Sequence, residues 1–230
     1  EESSALLRQQ ALDDRLKPQH GAKLYLHLSD LRLALGRVAS ESTGRLLDFG
    51  CGGSPYRALF PKADYLRADL AGMSEVDFII EPGRPLAAPD ASFDLVLSTQ
   101  VFEHVEDPAA YLRECHRLLK PGGCLVIALP NHTSSDALHY GEFWAAWDVP
   151  RHLWHFSPSS LEHLARKEDF RLVKIHRMPF DPFYVSMLSE KYRKSRFPVL
   201  KGLFFGKISW FRALFDPRKC SSLIYILKRQ

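Results

Sequence analysis

The chain has 230 residues, a formal net charge of +4 and a hydrophobic fraction of 46%. That is long for one domain and short for two, and it is enough chain to bury a large core without staples. The four cysteines, Cys51, Cys115, Cys124 and Cys220, form no Cys-x-x-Cys pair, so neither a zinc knuckle nor a disulfide framework is suggested and no metal is expected. Glu1–Gln10 mixes charge with short apolar runs, unlike a signal peptide. The longest apolar run, Cys124–Leu129, is far short of the ~20 residues that span a bilayer. These features read as a cytoplasmic protein in a reducing compartment.

The first forty residues read as helical. Ser3 or Ser4 can cap a helix that Pro18 stops after Lys17. Leu24, Leu28, Leu31 and Leu35 then recur at helical spacing, and Thr43-Gly44 ends that second helix. From Arg45 the pattern alternates. Arg45–Phe49 is a short apolar strand, Pro55–Phe60 a short helix, and Tyr65–Ala68, Val76–Ile80 and Phe93–Ser98 three more strands. Only Leu70–Glu75 separates the second and third strands, fewer residues than a parallel crossover normally needs. Asp107 and Pro108 open a helix with the apolar face Leu112, Cys115, Leu118 and Leu119, and Lys120-Pro121-Gly122-Gly123 closes it. Cys124–Leu129 is a fifth strand, Ser157-Pro158 opens another helix, and Phe170–Ile175 and Ser222–Leu227 complete seven strands.

Strands alternating with helices predict an α/β fold, a doubly wound and mostly parallel seven-stranded sheet with helices on both faces. Ligands of such sheets sit beyond the carboxyl ends of the strands. Chemistry is therefore expected there. Leu46-Leu47-Asp48-Phe49-Gly50-Cys51-Gly52-Gly53 runs from an apolar strand straight into a glycine-rich turn, where a ligand can approach the main chain without a Cβ in the way. Asp69 ends the second strand seventeen residues after Gly52, placed to accept hydrogen bonds from a ribose diol. Gln100-Val101-Phe102-Glu103-His104-Val105 follows the fourth strand at the same edge. A nicotinamide fingerprint would place a third glycine at position 55, which is Pro55, and no Gly-Lys-Ser/Thr phosphate loop follows.

Asp48-Phe49-Gly50-Cys51-Gly52 resembles motif I of the class I S-adenosylmethionine-dependent methyltransferases. Pro89-Asp90-Ala91-Ser92-Phe93-Asp94-Leu95-Val96 resembles that family's approach to the fourth strand, Gln100–Val105 its segment after that strand, and Leu118-Leu119-Lys120-Pro121-Gly122-Gly123 its turn into the fifth. The order and spacing match over residues 45–130, and the nearest flavour is the ubiquinone-biosynthesis-like small-molecule group. The resemblance implies a Rossmann-like sheet with an antiparallel last strand, and S-adenosylmethionine as cofactor. It implies that Gly50, Cys51 and Gly52 meet the methionine part while Asp48 faces its amino end. Asp69 would bind the ribose, Leu70 would pack on the adenine, Glu81 would approach the adenine amine, and Gln100 and Val101 would line the methionine side. Pro82-Gly83-Arg84-Pro85 departs from the pattern near Glu81.

On this reading the chain is one methyltransferase domain. Residues 1–44 supply N-terminal helices, 45–130 the cofactor core, 131–177 a substrate-side segment with the sixth strand, 178–219 an insertion or lid, and 220–230 the last strand. Trp144–Phe156 is rich in aromatic and polar groups that suit a small-molecule pocket. In it His152 or His155 could take a proton from an acceptor, with His104 and His132 as further candidates. The acceptor would be a small molecule or a lipid- or sugar-linked intermediate methylated on O, N or C; no nucleic acid is expected. A binding module without turnover is the competing reading, and a nicotinamide-dependent oxidoreductase, disfavoured by Pro55, a further one. Between Arg177 and Lys219 ten Lys/Arg face three acids, Asp181, Glu190 and Asp216, among many aromatics. Residues 178–219 are therefore either a lid packed on the domain or a peripheral membrane contact.

Overall fold

The computed structural model describes residues 25–72 and 75–230. The helix expected up to Lys17 lies outside them. The elements are α1 (Tyr25–Glu41), β1 (Gly44–Phe49), β2 (Ala63–Leu70), β3 (Phe78–Ile80), β4 (Phe93–Thr99), α2 (Pro108–Leu118), β5 (Leu119–Pro130), α3 (Ser135–Tyr140), α4 (Pro158–Lys167), β6 (Phe170–Arg177), α5 (Asp181–Tyr192), α6 (Pro198–Phe215) and β7 (Ser222–Arg229).

The seven strands form one sheet in the order β3-β2-β1-β4-β5-β7-β6. The pairs from β3 to β5 are parallel, and β7 runs antiparallel to both β5 and β6. Side chains alternate between faces along each strand, and both faces are covered. Leu47, Val96, Leu125, Ile127 and Tyr225 pack with Leu112, Cys115 and Leu118 of α2 and Leu161 and Ala165 of α4. Their neighbours Leu46, Leu95, Leu97, Val126 and Ile224 pack with Leu31, Ala34 and Leu35 of α1. Burying each such Leu, Ile or Val contributes roughly 1.5–3 kcal/mol relative to exposure.

Local signals set the helix starts. The Asp107 carboxylate accepts the Ala110 N–H at 3.0 Å with Pro108 in the first turn. Ser157 and Ser160 form a reciprocal capping box at the head of α4. Each such cap contributes about 1 kcal/mol.

Three details differ from the sequence expectation. The segment 55–60 forms a single 3-10 turn at Arg57–Leu59 rather than a helix. Lys120–Gly123 lies within β5 as an irregularity, because Leu119 pairs with Phe93 while Cys124 pairs with Leu95. Residues 71–77, too few for a crossover helix, still join β2 to a parallel β3, which is only a three-residue edge strand.

Asp94, in the motif before β4, has a structural task. Its carboxylate accepts the Arg45 N–H at 2.8 Å and binds the Lys120 ammonium at 2.8 Å, joining β1, β4 and β5. Gly44 must be glycine there: its φ is +88°, and a Cβ would strike that carboxylate.

Candidate active site

The carboxyl edges of β1, β2 and β4 meet at one place. Gly50 and Cys51 both donate their N–H groups to the Ala68 carbonyl, at 2.8 and 3.1 Å, which turns the chain away from β1. The Asp69 Oδ2 accepts the Gly52 N–H at 2.6 Å, and Oδ1 accepts the Leu70 N–H at 2.8 Å. The acid at the tip of β2 is thus part of the glycine turn. Gly50 has φ +82°, and a Cβ on it would stand 2.6 Å from Val101 Cγ2. That contact brings the turn after β1 against the turn after β4. Gln100, beside it, holds a left-handed φ of +59°, a conformation that non-glycine residues adopt at a cost.

The remaining residues of this set have different environments. Asp48 is buried, and its carboxylate accepts the Tyr65 hydroxyl proton. Burial beside that carboxylate holds the Tyr65 phenol far above its usual range, so it stays a donor. Cys51 is also buried, which pushes its thiol up to about 11; it is protonated and packs rather than reacts. Leu70 and Ile79 are exposed apolar side chains near Asp69. Leu70 pairs with Ile80 across β2 and β3, so Glu81 follows at the same edge, where it binds Arg84 at 2.8 Å.

The second group lies on the turn after β4 and on residues 144–156, and backbone bonds zip the two together. Leu153 and Trp154 both donate their N–H groups to the Glu103 carbonyl, at 2.9 and 3.2 Å. The Trp154 indole donates to the Val105 carbonyl at 2.9 Å, and His104 Nδ1 meets the Arg151 carbonyl at 2.7 Å. Phe102 packs on Phe156 with ring centres 5.0 Å apart.

This places His152 beside the turn after β4. Its Nε2 is 3.9 Å from Glu103 Oε1 and 3.7 Å from Asp148 Oδ2, and its ring meets that of His104 edge-on at 4.9 Å. Burial holds the His152 imidazole below the ordinary histidine value. The Ala146 carbonyl and Asp148 oppose that, while His104 and His155 reinforce it. His155 Nε2 meets the Trp147 carbonyl at 2.8 Å and stacks edge-on with the Trp147 ring. His132 is also held low by burial, next to His155. Leu129 and Pro130 at the end of β5 pack closely against His132, Trp144, His152, Trp154 and His155, leaving no space that a water molecule could enter. Trp144 is fully buried rather than a free wall, because its indole donates to the buried Asp136 at 2.8 Å.

Sequence reasoning left Glu103 without a role. Its buried carboxylate, His104 and His152 offer ligand atoms all within 4.8 Å of one another, an arrangement that can share a proton or hold a cation. The adjacent pair Glu103-His104 is visible in the sequence, but its third member comes from a separate loop.

A family model described as a methyltransferase domain matches residues 20–175, and the chain belongs to this methyltransferase family. The ubiquinone biosynthesis O-methyltransferase of Cereibacter sphaeroides is 34% identical over 160 residues, covering 60% of this chain and 64% of that one. The protein of the same name from Xanthomonas oryzae is 32% identical over 197 residues, covering 75% and 82%. The chain thus spans just under two thirds of the C. sphaeroides relative's length. Among solved structures, the cyclase SpnF superposes with a TM-score of 0.59 at 15% identity, over 93% of this chain and 84% of that one. The phosphoethanolamine N-methyltransferase 2 of Haemonchus contortus, in complex with phosphomonomethylethanolamine and S-adenosylhomocysteine, gives 0.54 at 15% identity, over 95% and 60%. These two likenesses show the fold: a Rossmann-like methyltransferase sheet.

Proposed function

We propose that the chain binds S-adenosylmethionine at the carboxyl edge of β1, β2 and β4 and methylates a small-molecule or lipid-linked acceptor. The observation that carries this reading is the union of Asp69 with the glycine turn at Gly52. The Asp69 Oδ2 also accepts from the Cys51 thiol at 3.9 Å, while Oδ1, which accepts the Leu70 N–H, keeps a lone pair for a ribose hydroxyl. Gly50, with φ +82° and the Val101 side chain where a Cβ would stand, lets the turn after β1 close on the turn after β4 at this edge. Leu70, exposed at the tip of β2, offers an apolar surface for a purine.

The chemistry that cofactor supplies is an electrophilic methyl on a sulfonium, which needs alignment more than a strong base. Residues 144–156, bonded onto the turn after β4, hold the acceptor side next to the glycine turn. An acceptor attacking that methyl group would release S-adenosylhomocysteine, and its proton would pass to a base of this chain. His152, whose neutral form burial favours, is our candidate for that base; His155 is the second. The names of the curated relatives favour oxygen as the acceptor atom. A peripheral membrane contact through residues 178–219 belongs to the same reading, since it would bring the enzyme to a lipid-linked acceptor.

Calorimetry tests it. Heat of binding is expected with S-adenosylhomocysteine and none with NAD; no heat with the first sinks the reading. Binding without methyl transfer to any of a panel of phenolic and lipid-linked hydroxyl compounds would make the chain a binding module instead.

A further inference from the structure

The insertion before β7 packs in an unusual sense. On α6 the buried residues are Gly202, Gly206, Ser209 and Ala213, one helical stripe of small side chains. This stripe lies on α5. A Cβ on Gly202 would strike the Met187 backbone, and one on Gly206 would stand 2.8 Å from Phe183 Cα. The large residues are on the other side. Leu200 is 69% exposed, Phe204 62%, Phe211 56% and Phe215 78%. At 3.6 residues per turn Leu200, Leu203, Phe204, Phe211, Leu214 and Phe215 fall on a single face, opposite the small stripe. An ordinary surface helix does the reverse, with its large apolar face inward and its polar face out.

Charge frames this face with one sign. From Lys191 to Lys219 nine Lys/Arg are exposed, and the only acid in that stretch is Asp216. Lys207 lies within the apolar face, and Lys201 and Arg212 lie along its border. Their long stems can lie along apolar surface while their charged ends reach outward. A groove of about 650 Å³ opens on the same side, between Phe197, Leu200 and Phe204, with Arg193 and Lys201 at its rim. The acid nearest it, Glu190, is buried and 3.9 Å from Arg193. No helix among the described residues is long and apolar enough to cross a membrane.

We propose that α6 lies flat on an anionic lipid bilayer, with Phe204, Phe211 and Phe215 in the boundary of headgroups and acyl chains and the flanking Lys and Arg on the phosphates. Large aromatics facing outward under a cationic border are complementary to such a surface in both polarity and charge. An exposed apolar patch rimmed by polar groups marks an interaction surface, and the one-signed border selects the anionic one. The same helices hold the acceptor side: Phe205 of α6 and Val185 of α5 pack with Tyr140 and Trp144 in one cluster. Docking would therefore set the catalytic edge at a fixed height above the membrane. The inference deepens the membrane contact of the proposed function and is measured without a methyl donor, so docking and methyl transfer can fail separately.

Co-sedimentation with vesicles tests it. The full chain is expected to pellet with vesicles of phosphatidylcholine mixed equally with phosphatidylglycerol, and not with phosphatidylcholine alone. Binding should weaken as salt rises without vanishing, since the apolar part is not screened. The triple variant Phe204→Ser, Phe211→Ser, Phe215→Ser should bind at least about tenfold more weakly. The variant Lys201→Glu, Lys207→Glu, Arg212→Glu should lose the preference for anionic lipid. These six side chains are solvent-facing, so both variants should keep the wild-type melting transition. The proposal is overturned if the wild type stays in the supernatant with anionic vesicles at low salt, or if the Phe variant binds as well as wild type. It is also overturned if the wild type dimerises through this face in solution, the Phe variant is monomeric, and neither binds vesicles.

Discussion

Asp69 accepts the Gly52 N–H at 2.6 Å, so the tip of β2 is tied to the turn that follows β1. A carboxylate in that position has two tasks. It shapes the glycine turn, and in the proposed site it would also accept from the cofactor's ribose.

Asp69→Asn separates these tasks only in part, because an amide keeps one accepting oxygen and loses the charge. Hydrogen bonds to a charged group contribute about 1.5–3 kcal/mol. The affinity for S-adenosylhomocysteine should therefore fall roughly ten- to a hundredfold, by titration calorimetry, while the protein stays folded. Unchanged affinity would place the ribose elsewhere.

His152 gives a pH signature. Burial first, then His104 and His155, favour its neutral form, and the Ala146 carbonyl and Asp148 only partly oppose them. If it is the base, the acid limb of kcat against pH should lie below the ordinary histidine value of about 6.5. His152→Gln should lower kcat by roughly 10²–10⁴ and remove that limb. Stability follows the same sign. At acid pH the unfolded chain binds the proton more readily than the folded one, so stability falls as pH drops below the ordinary value and recovers above it. A His152→Gln enzyme with the wild-type rate and pH profile would end its candidacy and leave His155.

Asp136 predicts a structural loss. Fully buried, it accepts from the Trp144 indole at 2.8 Å, the Ser209 hydroxyl at 2.9 Å and the Ser221 hydroxyl. It thereby ties α3 to the segment with Trp144, to α6 and to the start of β7. Burial pushes its carboxyl up from the usual range, and these hydrogen bonds pull against that shift. Asp136→Asn leaves at least one buried donor unmet, at about 1–3 kcal/mol each. Urea unfolding should show a lower midpoint at an unchanged slope, with a loss of about 2–4 kcal/mol. A loss below about 0.5 kcal/mol would mean that the network is replaceable, as for an ordinary surface substitution.

Much of the fold is local information. The alternation of Leu46 with Leu47, or of Leu95, Val96 and Leu97, marks strands covered on both faces, because side chains on successive residues point to opposite sides. Asp107-Pro108 and Ser157-Pro158 start helices by satisfying N–H groups within their own first turn. Gly50 and Gly52 declare a turn because few other residues adopt positive φ there. For these elements a few neighbouring residues carry the whole physical cause.

What required the tertiary structure was the choice of partner. Glu103 and His152 are separated by nearly fifty residues, and only the pairing of Leu153 and Trp154 with the Glu103 carbonyl brings their side chains together. Asp48 could be placed at the strand end by its position, but its burial against Tyr65 depends on the register of β1 with β2. The clearest case is α6. Its periodicity shows that Leu200, Phe204, Phe211 and Phe215 share a face, and a shared apolar face is ordinarily buried. Here the backbones of α5 and α6 approach so closely at Gly202 and Gly206 that only small residues fit between them, and the aromatics are left on the outside. Periodicity fixes which side chains lie together on a helix; which side faces in is decided by what the neighbouring helix can accommodate.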